Sequence, residues 1–248
     1  MTKLSVNLNK LALLRNQRDV GYPDLLEHAE IILSAGAHGL TIHPRPDERH
    51  IRFDDIKAIS DFVAYKKDIE FNIEGYPSDD FIERVLAYDC HQVTLVPDEP
   101  NQRTSDHGWN TNQKGEFLEP IIKQLKENGR RVSLFLDPDP ALIASAKATG
   151  ADRIELYTGP YAEDEISIEK YAETAIEAKK AGLDINAGHD LNLDNLAKFI
   201  EAVPQCAEVS IGHALTADAL KMGWYAAVTS YLTAIEFGQK AAQGDQAA

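Results

Sequence analysis

Asp139-Pro-Ala-Leu-Ile-Ala-Ser-Ala-Lys-Ala-Thr-Gly-Ala-Asp-Arg-Ile-Glu-Leu-Tyr157 contains the repeating unit of this chain. A helical pattern spans 139–149, Gly150 stops it, and Arg153-Ile-Glu-Leu-Tyr157 follows as a strand with a polar residue between apolar neighbours. Glycine stops a helix because it enters the left-handed conformation without a Cβ clash. The same helix–glycine–strand punctuation returns at Gly36 and Gly182, as successive βα units require. Working outward, short runs rich in Val, Ile and Leu recur at 4–8, 39–43, 69–74, 92–96, 131–136, 153–157, 183–187 and 208–211. Several alternate apolar with polar residues, as in Val6-Asn7-Leu8, Ile154-Glu155-Leu156 and Ile185-Asn186-Ala187. An open sheet covered on both faces reads as continuous apolar runs. In a closed barrel one face of each strand points at a central cavity, so alternation suits the barrel better. The expected fold is therefore α/β, a (β/α)8 TIM barrel with additional helices. It forms one domain over 1–243, with 244–248 as a disordered tail.

Helical spacing places Leu25, Leu26, Ala29, Ile32 and Leu33 on one face of a helix over 23–34, with Pro23 in its first turn. Further helices are expected from Ser78 and over 116–128, 168–181, 192–202 and 223–240. Residues 9–22 hold a short helix after the first strand, and the polar stretch 97–115 reads as a lid or binding loop.

The 248 residues match a single barrel, which takes about 250. A formal net charge of -15 argues against nucleic acid or an anionic membrane as partner. It leaves room for a phosphorylated small molecule held by local Arg, His and backbone N–H groups. The two cysteines, Cys90 and Cys206, form no metal or disulfide pattern and read as small buried hydrophobes. With no secretory signal and no long apolar run, the expected location is the cytosol.

Barrel enzymes carry their chemistry where strands end. Strand ends here bear Asn7, Asn9 and Lys10, then His43 and Arg45, Glu74, Asp98, Asp137, Glu155 and Thr158, Gly188-His189 and Gly212-His213. Converging histidines and carboxylates can shuttle protons. Each histidine alone could equally be a satisfied loop residue. Glu155 is harder to dismiss, because a charge inside a barrel needs partners or a purpose. The loops Asn186-Ala-Gly-His-Asp190 and Ile211-Gly-His-Ala214 are small enough for backbone N–H groups to approach a phosphate. Arg15, Arg18, Arg45 and His50 add cationic groups near that rim, although each arginine alone could be a solvated surface charge. No HxH or HExxH spacing occurs, so no metal is expected. No phosphate-cradling glycine motif follows a strand, and nucleotide binding is not expected. Lys10 alone stands near a position suited to Schiff-base chemistry.

The runs Val6–Arg18, Gly39–Ile51, Phe71–Glu74, Leu95–Pro97, Val132–Asp137, Ile154–Ala162, Asn186–His189 and Ile211–Ala214 resemble the pyridoxine 5′-phosphate synthase family. The resemblance is collinear over nearly the whole chain. It implies a ring-closing transferase that condenses 3-amino-2-oxopropyl phosphate with 1-deoxy-D-xylulose 5-phosphate. It implies no organic cofactor and no metal, and a homo-octamer. By the same resemblance His43 and Glu74 are proton acceptors, His189 is the proton donor and Glu155 stabilises charged intermediates. Arg45, His50 and Thr104 look like the deoxyxylulose phosphate clamp. Asn7, Arg18, Gly212 and His213 look like the aminoacetone phosphate site. Three positions depart from the family pattern: Asn9-Lys10 replaces Asp-His, and Asp190 replaces a glycine. All three are expected to stay in substrate contact, with the Asp190 carboxylate turned away from phosphate. The lid also lacks the usual Glu-Gly-Gly and reads Ser105-Asp-His-Gly108. Two alternatives fit the residues less fully. One is another phosphosugar barrel enzyme, an epimerase or isomerase; the other is a non-catalytic phospho-ligand binder.

Overall fold

The computed structural model describes residues 1–18, 20–99, 102–164 and 166–245. Eight parallel strands close into a barrel in sequence order: β1 (Lys3–Asn7), β2 (Gly39–Ile42), β3 (Glu70–Gly75), β4 (Gln92–Leu95), β5 (Arg131–Leu136), β6 (Arg153–Tyr157), β7 (Asp184–Gly188) and β8 (Glu208–Ile211). Around them lie α1 (Asn9–Arg15), α2 (Leu25–Ser34), α3 (Phe53–Val63), α4 (Asp79–Ala87), α5 (Thr111–Glu127) and α6 (Ile143–Ala148). The ring is completed by α7 (Gly159–Ala162), α8 (Ile168–Lys180), α9 (Leu196–Ala202), α10 (His213–Met222) and α11 (Trp224–Asp245).

Alternation along each strand sorts residues between two environments. Leu4, Val6, Leu40, Ile42, Ile73, Val93, Leu95, Leu134, Ile154, Leu156, Ile185 and Val209 are fully buried in the main apolar cluster with helix residues such as Ile32, Ile59, Leu118 and Phe199. Each such side chain contributes about 1.5–3 kcal/mol on leaving water. The intervening residues point into the barrel and are mostly polar, Phe135 being an apolar exception that lines the cavity. Ser5 and Thr41 bond at 2.7 Å, Asn72 donates to Thr41 at 3.4 Å, and Thr94 donates to Asn72 at 3.1 Å.

Nearer the N-terminal end the polar filling becomes charged. Lys3 and Arg131 both donate to Glu70, at 2.7 and 2.5 Å. Arg131 also donates to Gln92 at 2.9 Å, and Arg153 donates to Gln92 and Asn186 at 3.3 and 3.1 Å. Asn186 closes the run on Glu208 at 3.3 Å. Seven of the eight strands, all but β2, give one residue to this belt.

Gly36, Gly150 and Gly182 end their helices at φ of 103°, 86° and 73°, the left-handed region that favours glycine. Some boundaries moved. Asp24 caps α2 by accepting from Glu27 N–H at 2.8 Å, so Pro23 stands before the cap rather than in the first turn. In α5 the helix starts at Thr111, five residues ahead of the expected 116. The start of α9 moves from 192 to Leu196, because Asn192 and Asn195 bond each other's backbone N–H and form a turn instead. The last helix takes in Gly244 and Asp245, part of the expected tail; 246–248 lie outside the described residues.

Candidate active site

A cavity of about 510 Å³ opens at the C-terminal rim of the barrel. His43, Glu74, Glu155, His189, Asn7, Asn9, Lys10, Arg45, His50, Thr104, Asp190, Gly212 and His213 all line it. Arg18 does not: it is exposed on the segment after α1. Arg15 also leaves the rim, pairing with Asp55 at 2.6 Å and donating to the His50 carbonyl at 3.3 Å. It thereby fixes the loop that carries His50. Asn16 reinforces that hold with a 2.7 Å bond to the same carbonyl.

Glu74 ends β3 inside the barrel, with Asn7 donating to it at 3.5 Å. His43 follows β2, its Nδ1 3.9 Å from Glu74 and its Nε2 4.0 Å from Asp98. Burial lowers the His43 pKa well below its ordinary value, and Arg45 and His50 add to the effect. The imidazole is therefore neutral near pH 7. Burial does the opposite to Glu74, raising its pKa well above the carboxylate range, helped by Glu155 and Asp98. Glu155, deeper on β6, is pushed up to about 8 by burial and then by Glu208, against a 3.4 Å hydrogen bond from Thr94. Burial thus favours the protonated form of both carboxyls. Gly188 makes room for Glu155, since a Cβ there would stand 2.4 Å from its Oε1.

Around this floor lies a rim of hydrogen-bond donors. His50 is lowered to about 4 by burial, then by Arg45 and Lys10. Its Nδ1 accepts from Ile51 N–H at 2.9 Å, which leaves the ring proton on Nε2 as a donor. Arg45 bonds Asp98 closely and donates to the Gln102 carbonyl at 3.2 Å. Ser105 donates to the same Asp98 carboxylate at 2.7 Å. The Arg45–Asp98 pair borders a second cavity of about 760 Å³ walled by Tyr76, Trp109 and Phe117.

The lid runs from Val96 to Asn110, its residues 100 and 101 lying outside the described set. Its second half is pinned to the barrel. Trp109 donates through its indole to the Leu95 carbonyl at 2.9 Å, and Gly108 N–H donates to Asp137 at 3.0 Å. Thr104 sits 3.0 Å from His189 Nε2, while Asp190 sits 2.7 Å from His189 Nδ1. Asn9 accepts from His43 N–H at 2.9 Å and so braces the histidine's backbone.

Asp98 and Ser105 carry more of this site than the sequence indicated. Asp98 was visible at a strand end, but its partners come from two different loops. Among the described residues no group of three or more His, Cys, Asp or Glu could hold a metal ion. Among them also, no helix is long and apolar enough to cross a membrane. Cys90 and Cys206 are buried and free, each thiol raised to about 12 by burial.

Known proteins resemble this chain over nearly its full length. The profile of the family described as pyridoxal phosphate biosynthesis protein PdxJ matches residues 4–237. A pyridoxine 5′-phosphate synthase of Albidiferax ferrireducens is 52% identical, with 96% of this chain and 99% of that one covered. One from Chelativorans is 54% identical over 94% of this chain and 98% of its own. Among solved structures, Mycobacterium tuberculosis tryptophan synthase superposes with a TM-score of 0.64 at 14% identity, covering 94% of this chain and 92% of that one. Pyrococcus furiosus N-(5′-phosphoribosyl)anthranilate isomerase gives 0.62 at 13%, covering 95% and 99%. At such identities these two show a shared barrel fold.

Proposed function

Because the chain belongs to the pyridoxal phosphate biosynthesis protein PdxJ family and has the activity of its pyridoxine 5′-phosphate synthase relatives, we propose that His43, Glu74, Glu155 and His189 carry the proton transfers of ring closure. The reaction condenses 3-amino-2-oxopropyl phosphate with 1-deoxy-D-xylulose 5-phosphate, giving pyridoxine 5′-phosphate, phosphate and water. Imine formation, loss of phosphate, dehydration and aromatisation mainly move protons among carbon, nitrogen and oxygen. Groups that hold and release protons in turn around one cavity suit that sequence.

The observation that carries this reading is the placement of His43 and Glu74 3.9 Å apart in one buried pocket, where burial favours the uncharged form of each. The uncharged imidazole of His43 is a proton acceptor, and the carboxyl form of Glu74 that burial favours is a proton donor. Having protonated a leaving hydroxyl, Glu74 becomes the carboxylate that accepts in the next step. A cationic iminium intermediate stabilises that carboxylate by Coulomb attraction. Glu155, below them, supplies negative charge on demand to the same intermediate. His189, on the loop after β7, returns protons from Nε2.

Phosphate recognition divides around this set. Arg45 and the Nε2–H of His50 suit the deoxyxylulose phosphate, with Thr104, Lys10 and Asn9 beside it. The second phosphate suits the Gly212–His213 backbone at the start of α10, with Asn7 and the backbone of Asp190 near it. Arg18 lies outside the cavity of its own chain.

We further infer a homo-octamer in the cytosol. Leu14, Val20 and Tyr22 after β1, and Tyr225 and Phe237 on α11, are exposed apolar side chains of the kind that subunit contacts cover.

The test is a two-substrate assay that follows pyridoxine 5′-phosphate and released phosphate together. Glu74→Gln and His189→Ala are expected to keep the melting temperature within about 3 °C and to lower kcat about 10²–10⁴-fold. Wild-type turnover in either variant would remove that residue from the mechanism. Conversion of one phosphosugar without the amine would favour an isomerase instead.

A further inference from the structure

We propose that Asp190 is a positioning residue that holds the His189 imidazole by Nδ1, so that Nε2 is the nitrogen presented to the substrate. This deepens the reading above and rests on His189 acting as the proton donor.

The backbone supplies the first argument. His189 and Asp190 have φ of 83° and 60°, a conformation that is strained for any residue with a Cβ. Neighbours enforce it. Thr158 donates through Oγ1 to the Gly188 carbonyl at 2.7 Å, and Asn195 donates to the Asp190 carbonyl at 3.2 Å. A glycine at 190 would follow the same path at lower cost. What the aspartate adds is its carboxylate, and that carboxylate turns to His189 Nδ1 at 2.7 Å.

The opposite end of the ring supplies the second argument. His189 Nε2 lies 3.0 Å from Thr104 Oγ1 on the lid, inside the cavity. The ring edge is set against Tyr157, with centroids 5.1 Å apart at 79°. Carboxylate, imidazole and hydroxyl thus form a line from the β7 loop to the lid. In a neutral imidazole the carboxylate keeps the proton on Nδ1, leaving Nε2 free to receive one from solvent and pass it on. In an imidazolium it offsets the charge. The hydrogen bond from His189, then His213 and Lys10, hold the Asp190 carboxyl below the usual range, so it is ionised throughout the working pH. Lys10 and Asp190, two of the family departures, are thereby opposite charges facing one site.

The experiment compares Asp190→Gly, Asp190→Glu and His189→Ala in the full-length protein labelled with ¹⁵N-histidine. Ring tautomers are read by long-range ¹H–¹⁵N spectra at about pH 8.5, where imidazoles are mostly neutral. Wild type and Asp190→Glu are expected to show His189 protonated on Nδ1. Asp190→Gly is expected to shift the proton to Nε2 and to lower kcat about tenfold, with both KM values within about twofold. An unchanged tautomer in Asp190→Gly overturns the proposal. So does wild-type kcat in Asp190→Gly beside an inactive His189→Ala. An active His189→Ala would sink the proton-donor reading instead, and the tautomer would still decide the positioning.

Discussion

Glu155 shows how one buried side chain ties chemistry to stability. Its folded pKa, about 8, lies above the ordinary 4.5, so the folded state binds its proton more tightly than the unfolded chain does. That preference stabilises the fold fully below about pH 4.5 and is lost as pH rises through about 8. Glu155→Gln removes the titration while keeping the shape. The variant's melting temperature is expected to gain on wild type by at least about 2 °C between pH 5 and 8 and to hold that gain above it. A constant difference across pH, measured by calorimetry, would count against a proton-holding Glu155. That the four proposed proton-transfer residues lie at the barrel's inner rim was legible because strands alternate their faces and function sits at strand ends; their singling out within that rim came from the resemblance of the motifs. Asp98 was only half legible, since its bonds to Arg45 and Ser105 depend on how two loops fold. Arg15, Arg18 and Arg45 look alike as letters. Only the turn after α1 sends Arg15 to Asp55 and leaves Arg18 in solvent.

At the scale of elements, the lid departs most from its reading as a structureless stretch. Thr111–Gly115 looks like loop because it is polar and ends in glycine, yet it forms the first turns of α5. Thr111 explains this, bonding the Leu142 carbonyl at 3.1 Å and Ser145 Oγ at 2.7 Å across to α6. Such contacts come from a distant segment, which local pattern does not carry. Trp109, 3% exposed, is the peg that joins lid to barrel. Trp109→Ala is expected to cost about 3–5 kcal/mol of stability and to speed amide exchange over 102–110 while leaving the β1–β3 amides unchanged. Uniformly faster exchange would mean that Trp109 supports the whole barrel rather than its lid. By contrast α3, α7 and α10 escaped notice; α7 and α10 lie in segments dominated by site motifs.

For the molecule as a whole, eight strands in order and the barrel's polar interior could be read from alternation alone, while assembly could not. The proposed octamer predicts a sedimentation mass near eight times the 27.4 kDa chain. A monomer at micromolar concentration would refute it. The charged belt inside the barrel has a different kind of consequence, for how this lineage can change. Glu70, Gln92, Arg131, Arg153, Asn186 and Glu208 are linked end to end across the barrel interior, from β3 to β8. Removing one member strands a buried charge or donor, which is far costlier than the bond itself. Replacement of any one is therefore permitted or forbidden by what already occupies the others. These positions should drift through descent as a linked block, with intermediates that harm the carrier unless a second substitution has come first. A designer moving this site to another barrel would have to carry the belt along with it.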